Sequence, residues 1–572
     1  MLVPPINVRE FLQLLHKCKP PGSWAGPLAV ANSGGPDSMC LLYLLSQAVR
    51  KHGNDGGVPT KIYSIHIDHG LQAANEDMKR KVSALAQSLE VKDIQCSIPW
   101  STPPFPQRPH PGVAFEEIAR NARSELLFQE LNRWDLKHIA YGHHADDQVE
   151  TVLMRMARGS GQLGAAGMRR ARLWGMGTQD NSGLGFVGLA GMKKWILRPF
   201  LEIPKDRILA TCEANKIDYV TDPSNYQPDA TFRNYLRAQL ASRAESLKNK
   251  PESHTGLDSS ITPVAFSPNG GSSFSGNSSA RTYLPVDHAI QKLQSLGGTD
   301  DLYEAVRRTN DAQCRVDFAV DSYLRVTWGF NQPIVSTFTF NPSLRHIADP
   351  VLRVALVRRI LQFVSPHPWG STAAEAHGSR TSLERIARQL WDTTTPPTQR
   401  KPFSAGAKVL WTPAFLVTDR IPIVSVNTKH ASSKVSKIRR QIDNLQPGTA
   451  VWIAHRAPPS GHENHNIITH ITGERLARGD GVISVLWDNR FVISLTMDSL
   501  VRSAPIHITL DSSIVIELGK RWLLPRITLR SGGRNVSLGH WREDSRDQRI
   551  KFVQAFSGVE CFPARTLFPG AI

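Results

Sequence analysis

The stretch LAVANSGGPDSMCLL, Leu28 to Leu42, joins an apolar run to a glycine-rich turn and then to a second apolar run. Its centre, Ser33-Gly34-Gly35-Pro36-Asp37-Ser38, is too polar and too rich in glycine to be core. Leu28–Ala31 reads as a strand, and Ser38–Val49 as a helix with Leu41, Leu42, Leu45 and Val49 on one face. The turn therefore lies between a strand end and a helix N-terminus. There, two successive glycines let backbone N–H groups converge on an anion, and the helix dipole adds partial positive charge. Neither a lysine-bearing GxxxxGK[ST] loop nor a GxGxxG turn is present. Asp37 in an anion site makes sense with a Mg²⁺ between its carboxylate and phosphates. A simple helix cap, with Ser33 or Asp37 satisfying free N–H groups, accounts for the same residues.

Working outward, Ile62–Ile67 is a second strand, followed by a helix through Val82, Leu85 and Leu89. Val91–Ile98 is a third strand, with a helix over Phe115–Leu131 behind it. His138–Tyr141 is a fourth strand and Asp146–Arg158 another helix. Strands alternating with helices give the α/β class, a Rossmann-like parallel sheet with helices on both faces. Ligands bind such sheets beyond the carboxyl ends of the strands. Farther along, residues 171–190 read as a Gly-rich surface excursion, and 249–280 are Ser/Gly/Pro/Asn-rich with little to bury. The expected organisation is an extension over 1–27, the α/β domain over 28–245 and a disordered linker over 246–282. A helical domain over 283–420 and a β-rich domain over 421–572 complete it.

The chain has 572 residues, enough for three or four domains at roughly 150 residues each. Its formal net charge of +18 points to a polyanionic partner, most simply nucleic acid, although a solubilising surface is the plainer reading. Six cysteines form no CxxC pair and no Cys/His ligand spacing, which argues against zinc, iron–sulfur and disulfide frameworks. No run approaches the roughly 18 apolar residues of a membrane span, so no membrane partner is expected. Residues 1–24 carry Glu10 against Arg9, His16, Lys17 and Lys19, weakly like a transit peptide.

Two further motifs and a set of basic elements carry chemistry. HIDHGL, His66 to Leu71, puts Asp68 and His69 at a strand end, where they face a base or ribose or simply turn the chain. In YGHHADDQVETVLMR, Tyr141 to Arg155, Asp147 and Glu150 project together from one helix face. That pair suits Mg²⁺ or a substrate ammonium, whereas Asp146 and Asp147 alone would be ordinary first-turn acids. Basic elements follow: EEIARNAR with Arg120 and Arg123, RGSGQLGAAGM from Arg158, LRPFL with Arg198, and FRNYLR with Arg233 and Arg237 at i,i+4.

In order, SGGPDS, DHGL, E-x-x-x-R-x-x-R, HHADDQVET, RGSG…GM, RPFL and DPSN…FRNxxR resemble the tRNA(Ile)-lysidine synthetases, a branch of the PP-loop ATP pyrophosphatases, over residues 28–237. Ser124 and Phe200 depart from the family's usual tyrosine and leucine, and 171–190 look inserted. The resemblance implies adenylation of the wobble cytidine of tRNA(Ile) with a CAU anticodon, followed by attack of free L-lysine. It implies ATP on Ser33, Gly34, Gly35, Pro36, Asp37 and Ser38, with Mg²⁺ at Asp37 and with Asp68, His69, Arg120, Arg123 and Arg198 around the nucleotide. Asp37, Asp147, Glu150 and Arg233 take the catalytic roles, and Arg158 and Arg237 hold tRNA. A homodimer and a mitochondrial setting, with the cytoplasm as the alternative, belong to the same expectation. A tRNA 2-thiolation enzyme and an inactive tRNA-binding homologue are the competing readings.

Overall fold

The computed structural model describes residues 3–20, 24, 26–53, 57–70, 75–109, 115–158, 166–177, 188–221, 232–249, 264–266, 281–328, 336–340, 342–418, 421–424, 450–460, 463, 467–477, 481–503, 509–519, 523–543 and 550–565. It divides into two units. The first comprises Met1–Trp174, Asp180–Leu184 and Lys193–Arg315, and the second Gly175–Gln179, Gly185–Met192 and Val316–Ile572.

The first unit is built on strands β1 (Leu28–Ala31), β2 (Ile62–Asp68), β3 (Lys92–Ser97), β4 (His138–Ala140), β5 (Ala171–Leu173) and β6 (Trp195–Leu197). They lie in the order β3-β2-β1-β4-β6-β5. Every pairing is parallel except that of β5 with β6. The expected α/β class with a parallel sheet is thus the observed one. From β1 the chain steps outward to β3, then returns to the other side of β1 at β4. The order reverses between β1 and β4, and the crevice beyond their carboxyl ends is where such a sheet takes its ligand.

Helices cover both faces, so Leu28, Ala29 and Val30 of β1 are wholly buried. On one face α1 (Val8–Lys17), α2 (Pro36–His52), α3 (Asn75–Ser88) and, farther along, α6 (Lys205–Ala214) share a core that includes Phe11, Leu41, Leu45, Val82 and Ile208. On the other, α4 (Phe115–Arg133) packs Ala122, Leu126 and Leu127 against Ile65 and Ile139. Helix α5 (Ala145–Ala157) places Val149, Val152 and Leu153 against α7 (Phe232–Asn249) and α8 (Val286–Gly297).

His138 on β4 is 3% exposed, and its ring meets Trp24 edge-on at 5.9 Å. Burial pulls its pKa down to about 4. A group held below its unfolded value of roughly 6.5 supports the fold above that pH and loses its contribution as the pH falls toward 4. Urea midpoints should therefore fall across this window, and His138→Asn should remove about 3 kcal/mol of the drop. A slope identical in the two proteins would contradict the assignment.

Several boundaries differ from those expected. Residues 1–27 are not a detached extension: Phe11, Leu14 and Leu15 recur at i, i+3 and i+4 and are buried in the core, and Arg207 of α6 donates to Glu10 at 2.7 Å. Ala171–Leu173 is the antiparallel sheet edge rather than a surface excursion. In the second unit, the Met176 N–H donates to the Trp369 carbonyl (2.9 Å); residues 178–187 lie outside the described residues. Within 246–282, α7 runs to Asn249, and β7 (Val264–Phe266) pairs antiparallel with β8 (Arg281–Tyr283); the rest lies outside the described residues.

The helical domain expected over 283–420 is also redrawn. Helix α8 and the start of α9 (Leu302–Trp328) belong to the first unit. In the second unit α10 (Pro350–Val364) and α11 (Arg380–Leu390) accompany a five-stranded sheet of β9 (Phe338–Phe340), β10 (Phe403–Ser404), β11 (Val409–Thr418), β12 (Ile421–Val424) and β13 (Ala450–Arg456). Strands thus begin well before residue 421, first at β9, which at three residues carries no readable period, and then at β10 and β11. The C-terminal part is β-rich, with antiparallel sheets around Trp487, Phe491, Ile514 and Ile527.

Candidate active site

The turn after β1 is organised by a residue that precedes it. Asn32 is buried, and its Oδ1 accepts from the Gly34 N–H (3.1 Å) and from the Ser38 hydroxyl (3.0 Å). Its Nδ2 donates to Ser64 Oγ on β2 at 3.3 Å, tying the turn to the sheet. Ser33 N–H donates to Ser38 Oγ (3.1 Å). Gly34 has φ +79°, a conformation that glycine adopts without strain. Helix α2 begins at Pro36, earlier than Ser38, because proline's fixed φ suits the first helical position. Asp37 consequently lies in the first turn, beside free N–H groups.

The turn after β4 meets it from the other side of the switch point. A Cβ on Gly142 would lie 2.9 Å from the Asp37 backbone carbon and 3.0 Å from its carbonyl oxygen. Gly142→Ala should therefore displace the first turn of α2, costing about 1–3 kcal/mol. Calorimetric melting checks this, and an unchanged melting temperature would contradict the contact.

His144 caps α5: its N–H donates to Asp147 Oδ2 at 3.1 Å. Its ring lies 3.2 Å from Asp146 Oδ2, 3.5 Å from Asp147 Oδ2 and 3.9 Å from Asp37 Oδ1. Burial disfavours the imidazolium, yet the Asp146 contact and the charges of Asp147 and Asp37 outweigh it and push the pKa up. Asp146 also accepts from the Lys205 N–H (2.9 Å), capping α6 from a distance, and from the Tyr303 hydroxyl (2.8 Å). Against its burial, these bonds and the His144 contact hold Asp146 down at about 2. Lys205 Nζ closes the circuit on Asp37 Oδ1.

Glu150, one turn further, is 3% exposed and receives two guanidinium groups. Arg233 Nε donates to Oε2 at 2.6 Å and Arg237 Nε to Oε1 at 2.5 Å. The same two arginines lie 3.4 and 3.5 Å from Asp147 Oδ1. Burial disfavours the Asp147 charge, but His144 and Arg233 outweigh it and hold the carboxyl below its ordinary range. Arg237, expected on tRNA, is thus placed on Glu150 beside Arg233.

Arg198 follows β6 and is buried. Its Nε donates to His143 Nδ1 (3.3 Å) and its Nη1 to the Arg169 carbonyl (2.9 Å). Burial, then repulsion from Arg172, pulls it to about 9. Burial and then Arg198 hold His143 neutral, down to about 3. A desolvated guanidinium with a ring nitrogen and a carbonyl as partners suits an anionic ligand.

Asp68 and His69 end β2, on the same sheet edge. Asp68 Oδ1 accepts from the Gly70 N–H at 2.7 Å, and the His69 carbonyl accepts from Trp100 Nε1 at 2.9 Å. On α4, Arg120 is exposed, while Arg123 is half-buried with its charge felt at Tyr141 and His143. Arg158 is exposed at the end of α5. The RGSG stretch after it and residues 222–231 lie outside the described residues. Among the described residues no group of three or more His, Cys, Asp or Glu is placed to hold a metal. Asn32, Gly142, His144, Lys205 and Tyr303 complete the site. Of these, Asn32, Gly142 and His144 lie within the motif stretches quoted above, whereas Lys205 and Tyr303 lie outside them.

A family model described as the PP-loop domain matches residues 6–244. This part of the chain is similar to that domain family. Over the same region the chain is similar to curated proteins named tRNA(Ile)-lysidine synthase. That of Bacillus licheniformis is 31% identical over 225 residues, 39% of this chain and 41% of the relative. That of Bacillus subtilis is 32% identical over 237 residues, 41% and 43% of the two chains. That of Bradyrhizobium diazoefficiens is 32% identical over 236 residues, 41% and 56%. The chain thus spans about half the length of the relatives it matches. Among solved structures it is similar to the U34-tRNA thiolase NcsA of Methanococcus maripaludis, with TM-score 0.30 and 17% identity over 42% of this chain and 74% of that one.

Proposed function

We propose that the protein is a tRNA(Ile)-lysidine synthase, which uses ATP to join free L-lysine to C2 of the wobble cytidine in a CAU anticodon. The observation that carries this reading is a PP-loop domain matching proteins of that name and bearing Asp147 and Glu150 beside the Ser33–Ser38 turn's helix. In the first step the C2 oxygen attacks the α-phosphorus of ATP and pyrophosphate leaves. In the second the ε-amine, freed of a proton, attacks C2, and AMP leaves with that oxygen.

The triphosphate belongs on the Ser33–Ser38 turn and the first turn of α2, where N–H groups and the dipole favour anions. A Mg²⁺ fits Asp37, whose side chain is 28% exposed, with the phosphates as its other ligands; bound there, it would neutralise phosphate charge. Asp68, His69, Arg120 and Arg123 border the nucleotide, and Arg198 takes a phosphate or the lysine carboxylate. A lysine ammonium is no nucleophile at its reference pKa of about 10.4. Asp147 and Glu150 draw it in, and because Arg233 and Arg237 already match them, the ammonium must exchange with one guanidinium. Asp147, held below its ordinary range, acts mainly as a fixed charge. Arg158 remains for tRNA.

Pyrophosphate release tests this reading. Release should require ATP and tRNA(Ile) with a CAU anticodon, with AMP following only on addition of L-lysine. Release without tRNA, or AMP formation driven by a sulfur donor instead of lysine, would overturn it.

A further inference from the structure

The turn that opens α2 carries no lysine, and the next basic residues, Arg50 and Lys51, are in the last turn of that 17-residue helix. At about 1.5 Å per residue they lie a whole helix length from Asp37. A pyrophosphate leaving group of several negative charges would thus find no cation on the loop itself. We propose that Lys205 is the missing phosphate-binding lysine, supplied from the start of α6, and that its bond to Asp37 holds the place of the incoming magnesium nucleotide. This rests on reading Ser33–Ser38 as the ATP turn.

Three observations support it. The Lys205 backbone is pinned, because its N–H donates to Asp146 Oδ2 at 2.9 Å, so only the side chain is free to change partner. Its ammonium already bonds the Asp37 carboxylate, the group placed to hold the cation. Both side chains remain partly open, 30% and 28% exposed, so a ligand can reach them.

The bland alternative is a bridge that fastens α6 to α2. Magnitudes disfavour it. Those helices are joined by a buried core including Cys40, Leu41, Ile208 and Cys212, whereas an ion pair this exposed contributes little to stability. The pair is better suited to exchange. A divalent cation takes the Asp37 oxygen, phosphate oxygens take the ammonium, and neither charge is left unmatched.

The test is equilibrium binding of ATP and of inorganic pyrophosphate, each with Mg²⁺, to the full chain. Lys205→Met should weaken pyrophosphate binding by about tenfold to a hundredfold. Lys205→Arg should recover much of it, and in both variants melting temperature should shift by no more than about 2 °C with tRNA affinity unchanged. Wild-type affinity for pyrophosphate in Lys205→Met would overturn this inference and leave the ATP turn standing. Failure of the wild-type chain to bind ATP would overturn the reading beneath it. A drop of many degrees in melting temperature with parallel loss of tRNA binding would mark Lys205 as structural and also overturn the proposal.

Discussion

Asp147→Asn is expected to lower lysidine formation by about a hundredfold to a thousandfold while the chain stays folded and still binds tRNA. Asparagine is nearly isosteric, and its Oδ1 can still accept the His144 N–H now bonded at 3.1 Å. The α5 cap should therefore survive. What disappears is a negative charge 3.5 Å from His144 Nε2 and 3.4 and 3.5 Å from Arg233 and Arg237. Against burial, His144 and Arg233 hold that carboxyl below its ordinary range, so it is ionised at neutral pH. The substitution thus removes charge rather than shape. Initial rates of lysine incorporation, with melting temperature as the folding control, measure it. Turnover near wild type would remove Asp147 from the chemistry.

Glu150→Ala should act on stability as well as on turnover. Its carboxylate is the hub for two guanidinium groups, at 2.6 Å from Arg233 and 2.5 Å from Arg237. Alanine would leave both cations sharing the Asp147 carboxylate, 3.4 and 3.5 Å away, and losing one partner of such a cluster costs about 3 kcal/mol, discounted here because the arginines are partly exposed. Lysidine formation should also fall below detection, since the ammonium loses one of its two carboxylates. The sharper comparison is a cycle with Arg237→Ala. If the penalty comes from stranded charge, Glu150→Ala/Arg237→Ala should be more stable than Glu150→Ala alone. Simple additivity of the two losses in urea midpoints would contradict the charge account.

The parallel sheet was legible because β1, β2 and β4 are short apolar runs separated by helix-period segments, the pattern that burial on both faces imposes. The turn at Ser33–Ser38 and the pair Asp147 and Glu150 were legible for a local reason: glycines and acids at fixed offsets on one element. Partners across the fold were not. Lys205 reaches Asp37 over 168 positions and Tyr303 reaches Asp146 over 157, and neither sits in a composition that marks it. Arg237 read as a tRNA contact sharing an i,i+4 face with Arg233, but Glu150 takes it through packing of α7 on α5. Helix α1 was passed over because its charges resemble a leader, although Phe11, Leu14 and Leu15 follow the helix period. Strands of three residues such as β5, β6 and β9 carry too few side chains to show a period.

The most direct test of the account is transfer of labelled lysine. The protein is incubated with ATP, Mg²⁺, labelled L-lysine and unmodified tRNA(Ile) bearing a CAU anticodon, and the nucleosides are then separated and weighed. The account predicts ATP-dependent label at the wobble cytidine, with the mass gain of one lysine less one water. A sulfur-substituted base, or no label while ATP and tRNA both bind, would contradict it.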